Sequence, residues 1–308
     1  MSRSKILLDC DPGVDDMFAI FTALRYAELV AVTSVAGNVG IEHTTRNALA
    51  ILQMAGATVP VHRGAAFALA EGSAQDASHV HGESGLGGVT LPEPTTDIAS
   101  GDAIDPLFDY TATGDVTVVA VGPLTNIANA IQRDPSWVKR VPRLVIMGGS
   151  TATGNVTPYA EFNIWADPEA AAVVFDSGVA LTMVGLNLTR QVTMGATEIA
   201  TMRDSGTATG LVAADALAFY ADFSRREYGI AESAMHDPCA VLEVTSPDLF
   251  ERGEMSVNVE TTGTHTRGMT VCDQRQNADE PDTDVLVGLT GADPVAQIVA
   301  AAIAPLVL

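Results

Sequence analysis

Asp9, Asp11, Asp15 and Asp16 fall within eight consecutive residues near the start of a 308-residue chain. Ahead of them, Ile6 to Leu8 is an apolar run that reads as a buried parallel strand. Behind them, Val14, Met17, Phe18, Ile20 and Phe21 recur at helical spacing, so the acids stand where strand gives way to helix. Like charges at close range raise one another's pKa and oppose ionisation, so this crowding needs a cation or shared protons. A hard divalent metal is the simplest remedy. Pro12 fixes φ as the helix is entered, Gly13 removes side-chain bulk, and Asp15 and Asp16 occupy the first turn, where the positive dipole end favours anions. Consecutive helical residues point about 100° apart, so these two acids can serve separate purposes. N-terminal capping accounts for one aspartate, whereas four together point to a metal or a substrate.

The elements that follow must bring other polar residues to this turn. Leu29 to Val35 reads as a second strand ending at Gly37-Asn38, Thr44 to Ala55 as a helix, and Val59 to His62 as a third strand. Residues 64–94, rich in Gly, Ser, Ala and His and carrying His79-Val80-His81-Gly82, form a long irregular stretch expected to act as a lid. A helix over 103–111, strand Val116 to Val121, strand Arg143 to Met147, helix 168–177 and strand 180–185 continue the alternation. The chain is then expected to be mostly helical from Glu198 to Tyr228, and His236-Asp237-Pro238 opens a further helix. Met255–Glu260 and Met269–Cys272 read as an antiparallel hairpin, with a strand over 285–289 and a closing helix over 294–303.

This pattern predicts one α/β domain over residues 1–308, an open, mostly parallel, Rossmann-like sheet with helices on both faces and a small antiparallel hairpin near the C-terminus. Ligands of such sheets bind at the carboxyl ends of the strands, where Asp11, Asn38, Thr125, Met147 and Asn187 fall. In Ala160-Glu161-Phe162-Asn163-Ile164 the polar residues alternate with apolar ones, so an extended segment would point Glu161 and Asn163 the same way, suiting a vicinal diol. No GxGxxG or GxxxxGK[ST] accompanies a strand, so neither a dinucleotide nor a nucleoside triphosphate is indicated.

Composition narrows the partners. A net charge of −22 and only two lysines, Lys5 and Lys139, argue against nucleic acid or an anionic membrane. The apolar stretches, such as 295–308, are too short and interrupted to cross a bilayer, and no basic segment followed by an apolar run opens the chain. Cys10, Cys239 and Cys272 are odd in number and far apart, which fits reduced thiols and a cytoplasmic protein. Cys10 and Cys239 read as packing residues.

Taken in order, DCDPGVDD, the Gly-Asn after the second strand, HVHGESG, GPLTNIA, VIMGG, AEFNI with DPEAA, MVGLNLT and HDP resemble the inosine-uridine preferring nucleoside hydrolase family over most of the chain. The resemblance implies an N-glycosidase that cuts a purine or pyrimidine ribonucleoside into free base and ribose by water attack through an oxocarbenium-like transition state. Oxygen-only coordination suits Ca²⁺, but spacing does not choose between Ca²⁺ and Mg²⁺. The resemblance implies Ca²⁺, held by Asp11, Asp16, Asp237 and the backbone carbonyl of Thr125. It also implies a ribose grip by Asp15, Asn38, Met147, Asn155, Glu161 and Asn163. Asp11 is the expected general base, His236 the expected proton donor to the base, and His81 a second donor closing from the lid. Tyr220 and Tyr228 read as packing before base contacts. Family resemblance further implies a homodimer or homotetramer. Two other readings compete: a haloacid-dehalogenase-like phosphatase built on the Asp-x-Asp, which lacks the expected downstream Lys and Ser/Thr, and a nucleoside- or ribose-binding protein without turnover.

Overall fold

The computed structural model describes residues 3–70, 76–291 and 294–303. The chain runs β1 (Lys5–Cys10), α1 (Val14–Tyr26), β2 (Glu28–Ser34), α2 (Ile41–Met54), β3 (Val61–Arg63), α3 (Ser78–His81), α4 (Ile104–Thr111), β4 (Val116–Ala120), α5 (Thr125–Arg133) and β5 (Leu144–Met147). It continues with α6 (Phe162–Ala166), α7 (Pro168–Phe175), β6 (Leu181–Val184), α8 (Leu186–Thr189), β7 (Thr193–Met194), α9 (Ala196–Asp204), α10 (Ala208–Tyr228) and β8 (Ser233–Ala234). The last elements are α11 (Asp237–Thr245), β9 (Phe250–Val259), β10 (Thr270–Asp273), β11 (Thr283–Leu289) and α12 (Val295–Ile303).

Among the described residues nine strands form one sheet in the order β10-β9-β11-β6-β5-β4-β1-β2-β3. The run from β3 to β11 is parallel, and β9 pairs antiparallel with both β11 and β10. The expected hairpin therefore exists, but it extends the main sheet through β11. Strand β1 lies between β2 and β4, so the direction of winding reverses beside it. A crevice opens at such a switch point, beyond the carboxyl ends of the strands.

Strand β1 is apolar on both faces because helices cover both. Ile6, Leu8 and Cys10 pack with Val14, Met17 and Phe18 of α1 and with α10, α11 and α12, while Leu7 packs with Leu124, Ile127 and Trp137 on the other side. Ile6, Leu8, Met17 and Phe18 have no exposed surface, and burying each contributes about 1.5–3 kcal/mol. The sheet edge that carries the acids is therefore rigidly backed.

Three local expectations change. The helical stretch 198–228 is two helices: Gly206 takes a φ of 64°, and the Thr207 hydroxyl caps α10 by accepting from Gly210 N–H at 3.0 Å. A two-stranded antiparallel pair, β7 with β8, had no sequence signal because each strand has two residues. The irregular stretch 64–94 contains α3, and its residues 71–75 lie outside the described residues, as do residues 304–308 of the last apolar stretch. Among the described residues no helix is long and apolar enough to cross a membrane.

Candidate active site

The β1–α1 turn closes on itself through Asp16. This side chain accepts hydrogen bonds from Asp11 N–H at 3.1 Å, Gly13 N–H at 2.8 Å and Asn38 Nδ2 at 3.0 Å. Asp237 occupies the first turn of α11, which packs against α1. Carboxylate oxygens of Asp15, Asp16 and Asp237, all buried, lie within 4.8 Å of one another. Asp11 adjoins them: Oδ2 accepts Asn38 N–H at 2.6 Å, and Oδ1 is buried with no hydrogen-bond partner among the described residues.

These acids are electrostatically costly where they stand. Burial, with the Asp16 and Asp15 charges adding to it, holds the Asp11 carboxyl well above the usual range. Burial and then Asp16 push Asp15 up to about 8; burial raises Asp16 only to about 6, because backbone N–H groups of Gly13 and Asp11 offset it. Asp237 is raised strongly by burial and by Asp15, Asp16 and Asp11. No lysine or arginine pairs with any of the four among the described residues. A hard cation fits this set: the donors are all oxygen, the charges are uncompensated, and one buried oxygen lacks a partner.

Two glycines pinch Asp11 into place. A Cβ on Gly37 would stand 2.1 Å from Asp11 Oδ2, and one on Gly122 would stand 2.6 Å from Oδ1. Gly122→Ala should therefore displace the Asp11 carboxylate and lower kcat about 100-fold, since displacement of a reacting group by about 1 Å costs that much. A steady-state assay beside a thermal melt checks this, and unchanged kcat would show that the carboxylate is free to move.

The histidines are fixed by their partners. Val14 N–H donates to His81 Nδ1 at 3.1 Å, which leaves the ring proton of the neutral form on Nε2. His81 is buried and packs against Tyr220 with the rings tilted at 36° and 5.5 Å between centroids, so the expected lid residue is seated on the first turn of α1. His236 Nδ1 lies 2.7 Å from Thr189 Oγ1. Burial lowers His81 to about 3, with His236 and His79 contributing, and lowers His236 to about 4, helped by Arg190.

The remaining predicted residues divide. Asn38 is committed to the acids, its Nδ2 also donating to the Asp11 carbonyl at 3.1 Å. The segment holding Glu161 and Asn163 is helical, not extended. Glu161 caps α6, accepting N–H groups of Asn163 and Ile164 at 3.0 and 3.2 Å and of Gly149 at 3.0 Å. Burial raises Glu161 to about 7. Asn163 Nδ2 donates to the carbonyls of Val121 at 2.8 Å and Met147 at 3.0 Å, joining the ends of β4 and β5. The alternation argument fails because the Glu161 carboxylate finds the free N–H groups of a helix start. Asn155 is exposed, and its backbone N–H donates to Ala160 O at 3.1 Å; the structure does not bring its side chain to the acids. Thr125 opens α5 and is buried, its hydroxyl donating to Asp167 Oδ2 at 2.6 Å.

Thr189 and Tyr220 are the residues that sequence reasoning missed or ranked low. Thr189 lies in the quoted MVGLNLT motif, yet nothing in the sequence linked it to His236. Tyr220 is buried, and the charges of Asp15, Asp237 and Asp16 bear on its phenol, whereas Tyr228 is 64% exposed.

Residues 6–297 match the model of the inosine-uridine preferring nucleoside hydrolase family. The chain belongs to this family. It is 40% identical over 289 residues to the pyrimidine-specific ribonucleoside hydrolase RihA of Salmonella paratyphi B, spanning 92% of this chain and 93% of the relative. Among solved structures, the purine-preferring ribonucleoside hydrolase from Gardnerella vaginalis superposes with a TM-score of 0.93 at 33% identity, covering 98% of both chains. The plant nucleoside hydrolase PpNRh1 gives 0.90 at 33% identity, covering 98% of this chain and 99% of its own. The chain is accordingly a hydrolase acting on nucleosides, and neither the phosphatase nor the binding-only reading finds support.

Proposed function

We propose that this nucleoside hydrolase splits ribonucleosides into base and ribose by water attack, with Ca²⁺ held by Asp11, Asp16, Asp237 and the Thr125 carbonyl. The observation that carries this reading is the buried acid cluster with the unpartnered Asp11 Oδ1 at its edge. Bound there, Ca²⁺ would offset the acids' mutual repulsion and lower the pKa of an attacking water. Asp11 Oδ1 takes the proton from that water, because it is a buried carboxylate oxygen with no donor on it. Asp15 and Glu161 supply negative charge toward the positive sugar of the transition state, and Asp15, Asn38, Glu161, Asn163 and Met147 line the ribose.

The departing base must gain a proton. His236 is neutral at pH 7, its pKa being lowered to about 4, so it serves as an N–H relay with Thr189 as its partner, not as a stored imidazolium. His81, with its proton on Nε2, is a second donor on the same footing. Cys10, Cys239 and Cys272 form no disulfide among the described residues, which supports a cytoplasmic setting, and a homodimer or homotetramer is the assembly expected from family likeness.

A ribonucleoside panel assayed by free-sugar release, with and without chelator, tests the reading. Release from purine or pyrimidine ribonucleosides, abolished by chelator and restored by Ca²⁺, is expected. His236→Ala should lose about 10²-fold on substrates with a poor leaving base and much less where the base leaves readily. Equal losses on both would remove His236 from the proton path.

A further inference from the structure

Asp9 is the one acid of the amino-terminal motif that the chemistry above leaves unused. Alternate residues of a strand face opposite sides of the sheet, and in β1 Ile6, Leu8 and Cys10 face α1 while Leu7 faces α5. Asp9 shares the side of Leu7 and is fully buried. Its Oδ2 accepts from Thr33 Oγ1 of β2 at 2.5 Å and from Asn126 Nδ2 of α5 at 2.7 Å. Asn126 commits the rest of its amide to backbone: Nδ2 also donates to Ser34 O at 3.0 Å, and Oδ1 accepts Ala65 N–H at 2.9 Å. One amide thus ties β1, the end of β2, the segment after β3 and the first turn of α5. There is no slack around it, since a Cβ on Gly64 would stand 2.3 Å from Asn126 Oδ1 and 2.5 Å from Ser34 O.

Fold stability does not account for this acid. Its two hydrogen bonds contribute less than desolvating a carboxylate costs, and apolar packing would fill the place more cheaply. What Asp9 does provide is a fixed position for Asn126, whose neighbour Thr125 is the residue whose carbonyl completes the metal set. On the other side, Asp167 holds the Thr125 hydroxyl.

We propose that Asp9 is a positioning residue of the metal centre: as an acceptor for Asn126 it fixes the start of α5 so that Thr125 presents its carbonyl to the cation. This rests on the Ca²⁺ reading given above. The role needs an acceptor oxygen and does not need a charge.

The test is Ca²⁺ affinity of the full chain, measured by calorimetric titration after chelation and desalting, with circular dichroism to establish folding. Asp9→Ala should raise the Kd at least about tenfold, the scale seen when outer partners of metal ligands are removed. Asp9→Asn, which keeps an oxygen facing Asn126, should bind within about threefold of the unmodified chain, well inside that loss. Asn126→Ala should weaken binding at least as much as Asp9→Ala, because it also removes the bonds to Ser34 and Ala65, and the double variant should lose no more than Asn126→Ala alone. Should Asp9→Ala fail to fold, Asn126→Ala and Asp9→Asn decide the matter. A folded Asp9→Ala or Asn126→Ala that binds normally would overturn the proposal, as would additive losses or an Asp9→Asn as impaired as Asp9→Ala. An unmodified chain that takes up no Ca²⁺ is a different failure, that of the metal centre itself.

Discussion

Asp11→Ala is expected to keep its fold and to lose about 10³- to 10⁴-fold in kcat, equivalent to about 4–5.5 kcal/mol of barrier. The size follows from two losses at one position. General-base assistance is worth about 10²–10⁴-fold alone, and in the proposed function the same carboxylate also belongs to the cation's oxygen shell. The fold should survive because this side chain does not stabilise the metal-free protein. It is buried, disfavoured by Asp16 and Asp15, and leaves an oxygen without a partner. With chelator present, Asp11→Ala should therefore melt no lower than the unmodified chain, while turnover falls at every Ca²⁺ concentration. Turnover within tenfold of normal at saturating Ca²⁺ would show that another group accepts the water proton.

Metal affinity should climb steeply with pH, which is the second large effect. In the metal-free protein Asp15 is raised to about 8 and Asp16 to about 6, and Asp11 and Asp237 are raised strongly as well. At pH 7 the site therefore holds protons that a cation must displace. Raising the pH removes this competition, so the Kd falls as pH rises from about 6 to about 8, by up to about tenfold per unit for each proton released. The sign for stability is opposite. Between the ordinary carboxylate range and these raised values the metal-free folded chain binds more protons than the unfolded one, so its stability falls as pH rises. Bound Ca²⁺ should remove that loss. Titrations in two buffers of different ionisation enthalpy count the protons released, and a count of zero with a flat Kd would contradict the picture.

Much of this architecture was legible because parallel strands covered on both faces read as short apolar runs, with the chemistry placed where those runs stop. That Asp237 would join Asp11 and Asp16 was implied by the family resemblance of DCDPGVDD and HDP, not by their spacing. What escaped detection were contacts made by side chains with distant backbone. Glu161 took the N–H groups of α6 and turned an apparently extended segment into a helix. Thr189 met His236 across 47 residues. Asp9 was grouped with the other acids because all four are close in sequence. Strand alternation from Leu7 carried the signal that its side chain faces α5 instead. Residues 205–207 were hidden in a helical pattern by their short length, although Gly206 marked the break.

The central place of β1 also bears on how the molecule is made. Its register pairs Lys5 with Glu28 on one side and with Val116 on the other. At about 5–20 residues per second, a ribosome releases the second partner roughly 5–20 s after the first strand. Through that interval the strand bearing Asp9 has one open edge, and Asp237 has still to be synthesised. A nascent chain stalled before β4 should therefore be a strong client of holding chaperones, and one stalled after α11 should not.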